Sequence, residues 1–323
     1  MKIKRITNNY PPNMLRIEYM LGNLCNYKCN YCFPGSNEGT VRWPDIELVK
    51  NNLTHLLNFY KKNGKDLFQF YLIGGEPTLW KDLPILTKYL KEEFGAIINI
   101  STNGSRKSNW WIDNADKFDD IEISVHHEFV DTDHVIEVAD IIYEKRVNTV
   151  ANVLMDPNNF EKCISIIEKL KLSNCPWPII AKSVHYNGET KYTEEQKKYF
   201  ADTVKRMPDM DWYNTVNRDP VWKKITWVDT DTEKIQIPSN NWFTINKINH
   251  FTGWTCNLGV DHIEIFQDGT ISGNCKQKIW GLNYHYNLYD LEFINNFNPT
   301  LVPVICKQLI CQCTSEIIIN KYA

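Results

Sequence analysis

The sequence predicts an α/β fold: a partial (β/α)6 TIM-like barrel over residues 1–206, an aromatic-rich connecting segment over 207–254, and a small C-terminal β-hairpin domain over 255–323. Three observations predict it. Strand-like runs alternate with amphipathic helical runs from residue 15 to about residue 206, one face of those strands is repeatedly polar, and an Asp-Gly turn near residue 268 separates two further alternating runs. Repeated βα units imply a parallel sheet with right-handed crossovers and helices outside. Six units suffice for a partly closed barrel, whereas a closed one takes eight.

The strands are expected at 15–22, 68–74, 96–102, 121–126, 149–155 and 179–184, and the helices at 45–63, 82–94, 108–117, 133–146, 158–172 and 193–207. Trp43-Pro44-Asp45 is a proline–acid entry of the kind that starts a helix. Successive strand residues face opposite sides. Arg16 and Glu18 therefore share a side, as do Asn99 with Ser101, and Glu122 with Ser124 and His126, opposite Ile121, Ile123 and Val125. Gln69, Asn152 and Lys182 add polar groups on other strands. Burying such groups unpaired would cost several kcal/mol each. Some can pair with one another, but the pattern argues for a wet lumen holding a polar ligand rather than an interior of Val, Ile and Leu.

At 323 residues the chain can bury one large core, with or without a satellite domain. Its formal charge of −3 gives no general pull toward nucleic acid or anionic lipid. No apolar segment follows the basic N-terminal residues, and no run approaches a membrane span, so neither a signal peptide nor a membrane location is expected. In the cytoplasmic setting this implies, ten cysteines suit metal or redox chemistry better than a disulfide scaffold. Cys163 and Cys175 stand apart and read as small buried hydrophobes.

Three cysteines lie in the run Cys25-Asn-Tyr-Lys-Cys29-Asn-Tyr-Cys32, directly after the first strand. Three thiolates on one loop can hold three irons of a [4Fe–4S] cubane and leave the fourth iron open. A zinc loop or a structural cysteine cluster is the alternative, but CxxxCxxC with Tyr31 before the third cysteine is rarer by chance than a lone CxxC. Ligand chemistry in βα barrels gathers at the C-terminal strand ends. There the chain carries Gly74-Gly75-Glu76-Pro77, Ser101-Thr102-Asn103-Gly104 and Ser124-Val125-His126-His127, with Asn152 in the fifth strand. The two glycines let backbone pass close to a ligand, and Glu76 offers an acceptor to an ammonium group. His126 and Lys182 are candidates for proton transfer, though a histidine there is more often structural, and no catalytic base is assigned.

Five further cysteines, Cys256, Cys275, Cys306, Cys311 and Cys313, fall in the last quarter. The Gln267-Asp268-Gly269 turn marks a hairpin that returns Cys275 toward Cys256. A zinc ribbon would favour paired CxxC knuckles, which this region lacks.

The CxxxCxxC spacing resembles the signature of the radical S-adenosylmethionine (SAM) superfamily, and the strand-end segments resemble its GGEP and STNG motifs over residues 15–190. The resemblance implies that Cys25, Cys29 and Cys32 hold a [4Fe–4S] cluster whose open iron is chelated by the amino and carboxylate groups of SAM. An electron from the cluster then releases a 5′-deoxyadenosyl radical. It also implies that Gly74, Gly75 and Glu76 meet the methionyl amino group, that Tyr31 sits beside the adenine, that Ser124 meets the ribose, and that Ser101, Asn103 and Asn152 lie near SAM. The C-terminal cysteines resemble a Twitch domain, a shortened SPASM domain, and imply one auxiliary [4Fe–4S] cluster. Five candidates compete for four positions: Cys256 and Cys275 first, then Cys311 and Cys313, with Cys306 close behind.

The implied function is hydrogen abstraction from a small-molecule or peptide substrate with net oxidation, driven by a reductase or flavodoxin-type electron donor. With 24 residues before Cys25, no N-terminal peptide-recognition domain is expected. The alternatives are a non-catalytic iron–sulfur electron carrier or sensor, and a tRNA-modifying enzyme of the same superfamily. The latter would have to bind RNA without a basic stripe.

Overall fold

Alternating side chains build two sheets in this chain, seen in a computed structural model that describes residues 3–184, 192–205, 226–237, 243, 248–273, 278–311 and 318–323. The chain runs through β1 (Ile3–Asn8) and β2 (Met14–Met20), and then through α1 (Ile46–Lys62), β3 (Leu67–Ile73), α2 (Leu83–Phe94), β4 (Ile97–Thr102) and α3 (Ser108–Asn114). It continues through β5 (Asp120–Val125), α4 (Thr132–Glu144), β6 (Asn148–Met155), α5 (Phe160–Leu170), β7 (Ile179–Ser183) and α6 (Glu194–Lys205). The later elements are β8 (Thr226–Thr230), β9 (Lys234–Ile237), β10 (Thr255–Cys256), β11 (His262–Ile265), β12 (Thr270–Ser272), β13 (Tyr286–Asn287), α7 (Phe293–Asn296), β14 (Val304–Ile305) and β15 (Lys321–Tyr322).

The βα units form where their sequence pattern places them, with ends shifted by at most two residues except at α3, which stops at Asn114 and continues over 115–117 as a 3-10 turn. Asp45 caps α1 by accepting from the Leu48 N–H at 2.9 Å, and Val49, Leu53, Leu56, Leu57 and Tyr60 bury the face that repeats every three to four residues. Helix α2 ends at Gly95, whose φ of 59° is a left-handed C-cap. In the sheet, Ile17, Phe70 and Ile98 stand in register on neighbouring strands and are buried against the helices. The opposite face carries the polar residues.

Among the described residues the main sheet has nine strands in the order β13-β12-β11-β2-β3-β4-β5-β6-β7. It is open: its edge strands, β13 and β7, do not pair. A difference from the expected pattern lies at β11. The anticipated hairpin forms, with Glu264 opposite Ser272 and Ile265 opposite Ile271, but its first strand also pairs in parallel with β2, so seven parallel strands line up rather than six. The reason is phase. His262-Ile263-Glu264-Ile265 alternates in step with Arg16-Ile17-Glu18-Tyr19, so one register satisfies both faces.

The second sheet is antiparallel, in the order β14-β10-β15-β1-β8-β9. Ile6, Val228, Ile237, Phe243, Phe251 and Ile318 make its core. Of the aromatics noted between 207 and 254, Phe243 and Phe251 are buried there and Trp254 packs on Phe251 at 5.2 Å. Trp212, Tyr213, Trp222 and Trp242 lie outside the described residues. Among the described residues, no helix is long and apolar enough to cross a membrane.

Candidate functional site

The loop carrying Cys25, Cys29 and Cys32 leaves the C-terminal end of β2 and is laced to the end of β3. The Leu21 N–H donates to the Ile73 carbonyl at 2.9 Å, Gly75 to Gly22 at 2.9 Å, and Glu76 to Leu24 at 2.7 Å. The glycines are needed for this contact. A Cβ on Gly74, whose φ is 108°, would lie 2.5 Å from the Gly22 oxygen, and one on Gly75 would lie 2.2 Å from the Leu24 oxygen. The close approach that Gly74 and Gly75 permit is thus to the cysteine loop's own backbone.

Asn23, which the sequence did not flag, closes that loop. Its side-chain amide donates to the Gly35 carbonyl at 2.9 Å and to Thr40 Oγ1 at 2.8 Å, while its Oδ1 accepts from the Val41 N–H at 2.8 Å. Lys28 Nζ donates to the Asn37 carbonyl within the loop. The Asn30 N–H reaches across to Glu128 Oε2 at 3.1 Å. An asparagine at a loop base is too common a feature for its spacing to announce this role.

Glu76 is 1% exposed, and its carboxylate is a clamp. Oε1 accepts from the Thr78 N–H (3.1 Å), Thr78 Oγ1 (2.6 Å) and Thr102 Oγ1 (2.7 Å), and Oε2 accepts from the Asn103 N–H (2.6 Å). Burial raises its pKa, and these donors oppose the rise. The side chain expected to greet an ammonium therefore first ties the end of β3 to the end of β4. Asn103 extends the network: its Nδ2 lies 3.8 Å from Cys25 Sγ and 3.0 Å from Asn26 Oδ1.

Tyr31 stacks on His126 and His127 at 5.8 and 6.0 Å, and its hydroxyl lies 3.2 Å from His126 Nδ1. Burial and the neighbouring His127 hold His126 down to about 4. His127 in turn faces Asp156, with Nε2 3.4 Å from Oδ2. Ser101 and Ser124 meet at 3.3 Å. Asn152 donates to Glu122 Oε2 at 3.1 Å, which also accepts from the Tyr71 hydroxyl at 2.6 Å. The structure thus brings Cys25, Glu76 and Asn103 into one network, Tyr31 and His126 into a second, and Ser101 with Ser124 into a third. Lys182 is half-buried on β7.

The donor set suits an iron–sulfur cluster. Burial raises all three thiol pKa values, that of Cys29 to about 12, and Cys29 feels the charge of both Cys25 and Cys32. Such thiols ionise when a multivalent cation offsets their mutual repulsion. Among the described residues, no three His, Cys, Asp or Glu side chains are placed to hold a single metal ion. Sulfurs bound to three different irons need not crowd in that way, whereas those of a tetrahedral zinc must.

Of the C-terminal cysteines among the described residues, Cys256, Cys306 and Cys311 lie at the other sheet. Cys256 on β10 stands opposite Val304 and Lys321, and Cys306 follows β14 with its N–H donating to the Trp254 carbonyl at 2.8 Å. Strand alternation places Cys256 and Cys306 on one face. Cys311 is anchored by its N–H to the Asn249 carbonyl at 2.8 Å, and Lys321 Nζ lies 3.9 Å from its sulfur. Cys275 and Cys313 lie outside the described residues.

The model of the Radical SAM superfamily matches residues 19–176, the span that holds the cysteine loop and the ends of β2 to β6. This segment is a radical SAM domain. A Methanocaldococcus jannaschii protein (MJ1632) named as a glycyl-radical enzyme activating enzyme is 38% identical over 80 residues, 25% of this chain and 28% of the relative. GTP 3′,8-cyclase of Psychromonas ingrahamii is 28% identical over 138 residues, 41% of this chain and 39% of the relative. The chain thus spans well under half the length of these curated relatives. Among solved structures, native anSMEcpe with bound AdoMet aligns at a TM-score of 0.52 and 15% identity, covering 88% of this chain and 81% of that chain. Streptococcus suis SuiB bound to precursor peptide SuiA aligns at 0.52 and 15%, covering 89% and 64%. Both likenesses establish shared architecture for the radical SAM domain and the chain around it. Members of the superfamily are enzymes that carry a [4Fe–4S] cluster and use SAM.

Proposed function

We propose that this protein reductively cleaves SAM and uses the resulting 5′-deoxyadenosyl radical to abstract hydrogen from a small-molecule or peptide substrate, with net oxidation. The observation that carries the reading is the loop of Cys25, Cys29 and Cys32 braced by Gly74, Gly75, Glu76 and Asn103 at the strand ends. Cys25, Cys29 and Cys32 would hold the cluster, which supplies a low-potential electron and an open iron for SAM.

The chain's own residues do the positioning. Glu76 fixes the turn after β3 against Thr102 and Asn103, and Asn23 holds both ends of the loop, so the thiols keep one arrangement through turnover. The stack of Tyr31 on His126 and His127 walls one side of the loop and keeps water from it. Ser101, Ser124 and Asn152 offer hydroxyls and an amide to a nucleoside on the inner side of the strand ends. Phe33, 73% exposed beside Cys32, leaves an apolar surface for a flavodoxin-type electron donor, as suits a cytoplasmic enzyme.

The C-terminal region is proposed as a Twitch-like site for an auxiliary [4Fe–4S] cluster drawn from Cys256, Cys275, Cys306, Cys311 and Cys313. Support comes from Cys256 and Cys306 sharing a face of the second sheet, with Lys321 beside Cys311. The test is anaerobic iron and sulfide analysis with EPR, SAM binding, and 5′-deoxyadenosine formation under dithionite. About eight irons, falling to about four when Cys25, Cys29 and Cys32 are replaced by alanine, is the expected result. Zinc in place of iron, or no 5′-deoxyadenosine from loaded protein, overturns the proposal.

A further inference from the structure

At the end of β2 away from the cysteine loop, the two sheets meet around a cavity of about 30 Å³. Its walls include Asn8, Tyr10, Arg16, Asp261, His262 and Asn320. Such a volume admits about one or two particles the size of water. His262 stands opposite Arg16 across the parallel β11–β2 pair, so both side chains leave the same face of the main sheet. Tyr10 reaches them from the β1–β2 connection, with its ring centroid 4.6 Å from Arg16 Cζ.

Most polar groups of these walls are matched to one another. Asn320 Oδ1 accepts from the Asn8 N–H at 3.1 Å, and Asn8 Oδ1 accepts from the Tyr10 N–H at 3.1 Å. Asn8 Nδ2 donates to the Ile318 carbonyl at 2.8 Å. Both carboxylate oxygens of Asp261 are occupied: Oδ1 accepts from Lys65 Nζ at 2.6 Å, and Oδ2 from the side-chain amides of Asn257 and Asn320 at 2.7 and 3.3 Å. Lys65 also answers its charge. Three groups are left over. His262 is 2% exposed, and its Nδ1 has no hydrogen-bond partner. The Tyr10 hydroxyl is buried without one as well. Arg16 gives its Nε to Gln69 Oε1 at 3.2 Å, which uses one of the five N–H donors of a guanidinium. Burial and then the charges of Arg16 and Lys321 hold the His262 pKa well below the usual range. The imidazole is therefore neutral, and it sits in the positive field of two cations.

We propose that this cavity is a binding site for a small inorganic anion of halide size, held by Arg16, the Tyr10 hydroxyl and His262 Nδ1. A halide accepts several hydrogen bonds and donates none. It complements a guanidinium, a phenol, and an imidazole in the tautomer that carries its proton on Nδ1. A water molecule fits the volume as well, but the guanidinium can accept neither of its protons, and the field of Arg16 and Lys321 favours an anion over a neutral dipole. Because its donors come from β2, β11 and the β1–β2 connection, the ion joins the two sheets. The site lies apart from the radical chemistry and goes beyond it.

The test melts the full-length, cluster-loaded protein under anaerobic conditions while sodium gluconate is exchanged stepwise for sodium chloride or sodium bromide at one ionic strength. Gluconate is too large for the cavity. The expected result is a Tm that rises with either halide and levels off, by about 2–4 °C at a hundredfold excess over Kd. Tyr10→Phe keeps the ring beside Arg16 and removes the hydroxyl, and should weaken the halide by about threefold to tenfold. Arg16→Gln removes the charge and should weaken it by about tenfold or more. Crystals grown in bromide should show an anomalous peak among Arg16, Tyr10 and His262. A Tm equal in chloride and gluconate means that the cavity holds water, and it overturns the proposal. So does a halide effect that never saturates or is unchanged in Tyr10→Phe, which marks general salt action on the surface, and so does a bromide peak found only elsewhere. Should Arg16→Gln fail to fold, Tyr10→Phe and the bromide map decide. None of these readouts depends on SAM cleavage, so the outcome stands apart from that of the proposed activity.

Discussion

The cysteines at the two ends of this chain are held in different ways. The first three share one short loop, which is laced by backbone hydrogen bonds to 73–76 and stapled by Asn23. Cys256 lies on β10 and Cys306 directly follows β14, paired two-residue strands far apart in sequence, while Cys311 is anchored to the Asn249 carbonyl outside any strand. A site made within one loop has little chain entropy left to lose when it takes up a ligand, whereas one assembled from distant pieces depends on the whole sheet around it. The first is built for a constant geometry, and the second can respond to what happens at β1, β8 and β15.

The largest expected effect breaks this comparison if it fails. Cys32→Ala should bring 5′-deoxyadenosine formation to background, while Cys306→Ala should leave SAM cleavage without substrate within about threefold, because distant sites act nearly independently. Equal loss in both variants, measured by chromatography of the nucleoside, would mean that the regions form one functional unit. Next comes the lacing. Gly75→Ala drives a Cβ into the Leu24 carbonyl and should cost about 3 kcal/mol in chemical denaturation, together with iron from the first loop.

Acid sharpens the comparison from another side. His126 releases its proton near pH 4 in the folded chain and near 6.5 when unfolded. Between those values the unfolded chain binds more protons, so stability falls as pH drops from about 6.5 to below 4, by about 3 kcal/mol from this group at full extent. His126→Gln should flatten that part of the stability profile; an unchanged slope would remove His126 from the account. The smallest effect is Gly35→Ala. Its φ of 81° is left-handed but its Cβ would meet nothing within 4 Å, so a loss of about 1 kcal/mol with full iron content is expected.

The βα units were legible in the sequence because their signals are local. Alternation in 121–126 and the three-to-four spacing along 46–62 mark each element without reference to the rest. The spacing of Cys25, Cys29 and Cys32 likewise lies within eight residues. What escaped the sequence is non-local. The pairings of Arg5 with Tyr322 and of Ile6 with Val228 leave no periodic trace in such short strands. The partnership of β11 with β2 depends on a shared phase between residues 16–19 and 262–265 that becomes visible only once they are neighbours. Glu76 shows a third limit. Its residue type announced an acceptor, but which donors would occupy it depended on Thr78, Thr102 and the Asn103 N–H being carried to the same place.

The β11–β2 pairing bears on how the molecule is made. As the polypeptide leaves the ribosome, strand 14–20 gains a neighbour once 67–73 has emerged, but its opposite edge has no partner until 262–265 appears. For most of synthesis, then, the strand that launches the cysteine loop displays an unsatisfied ladder, the type of surface that invites pairing between nascent chains. Chaperone occupancy during translation should therefore persist until the hairpin is out.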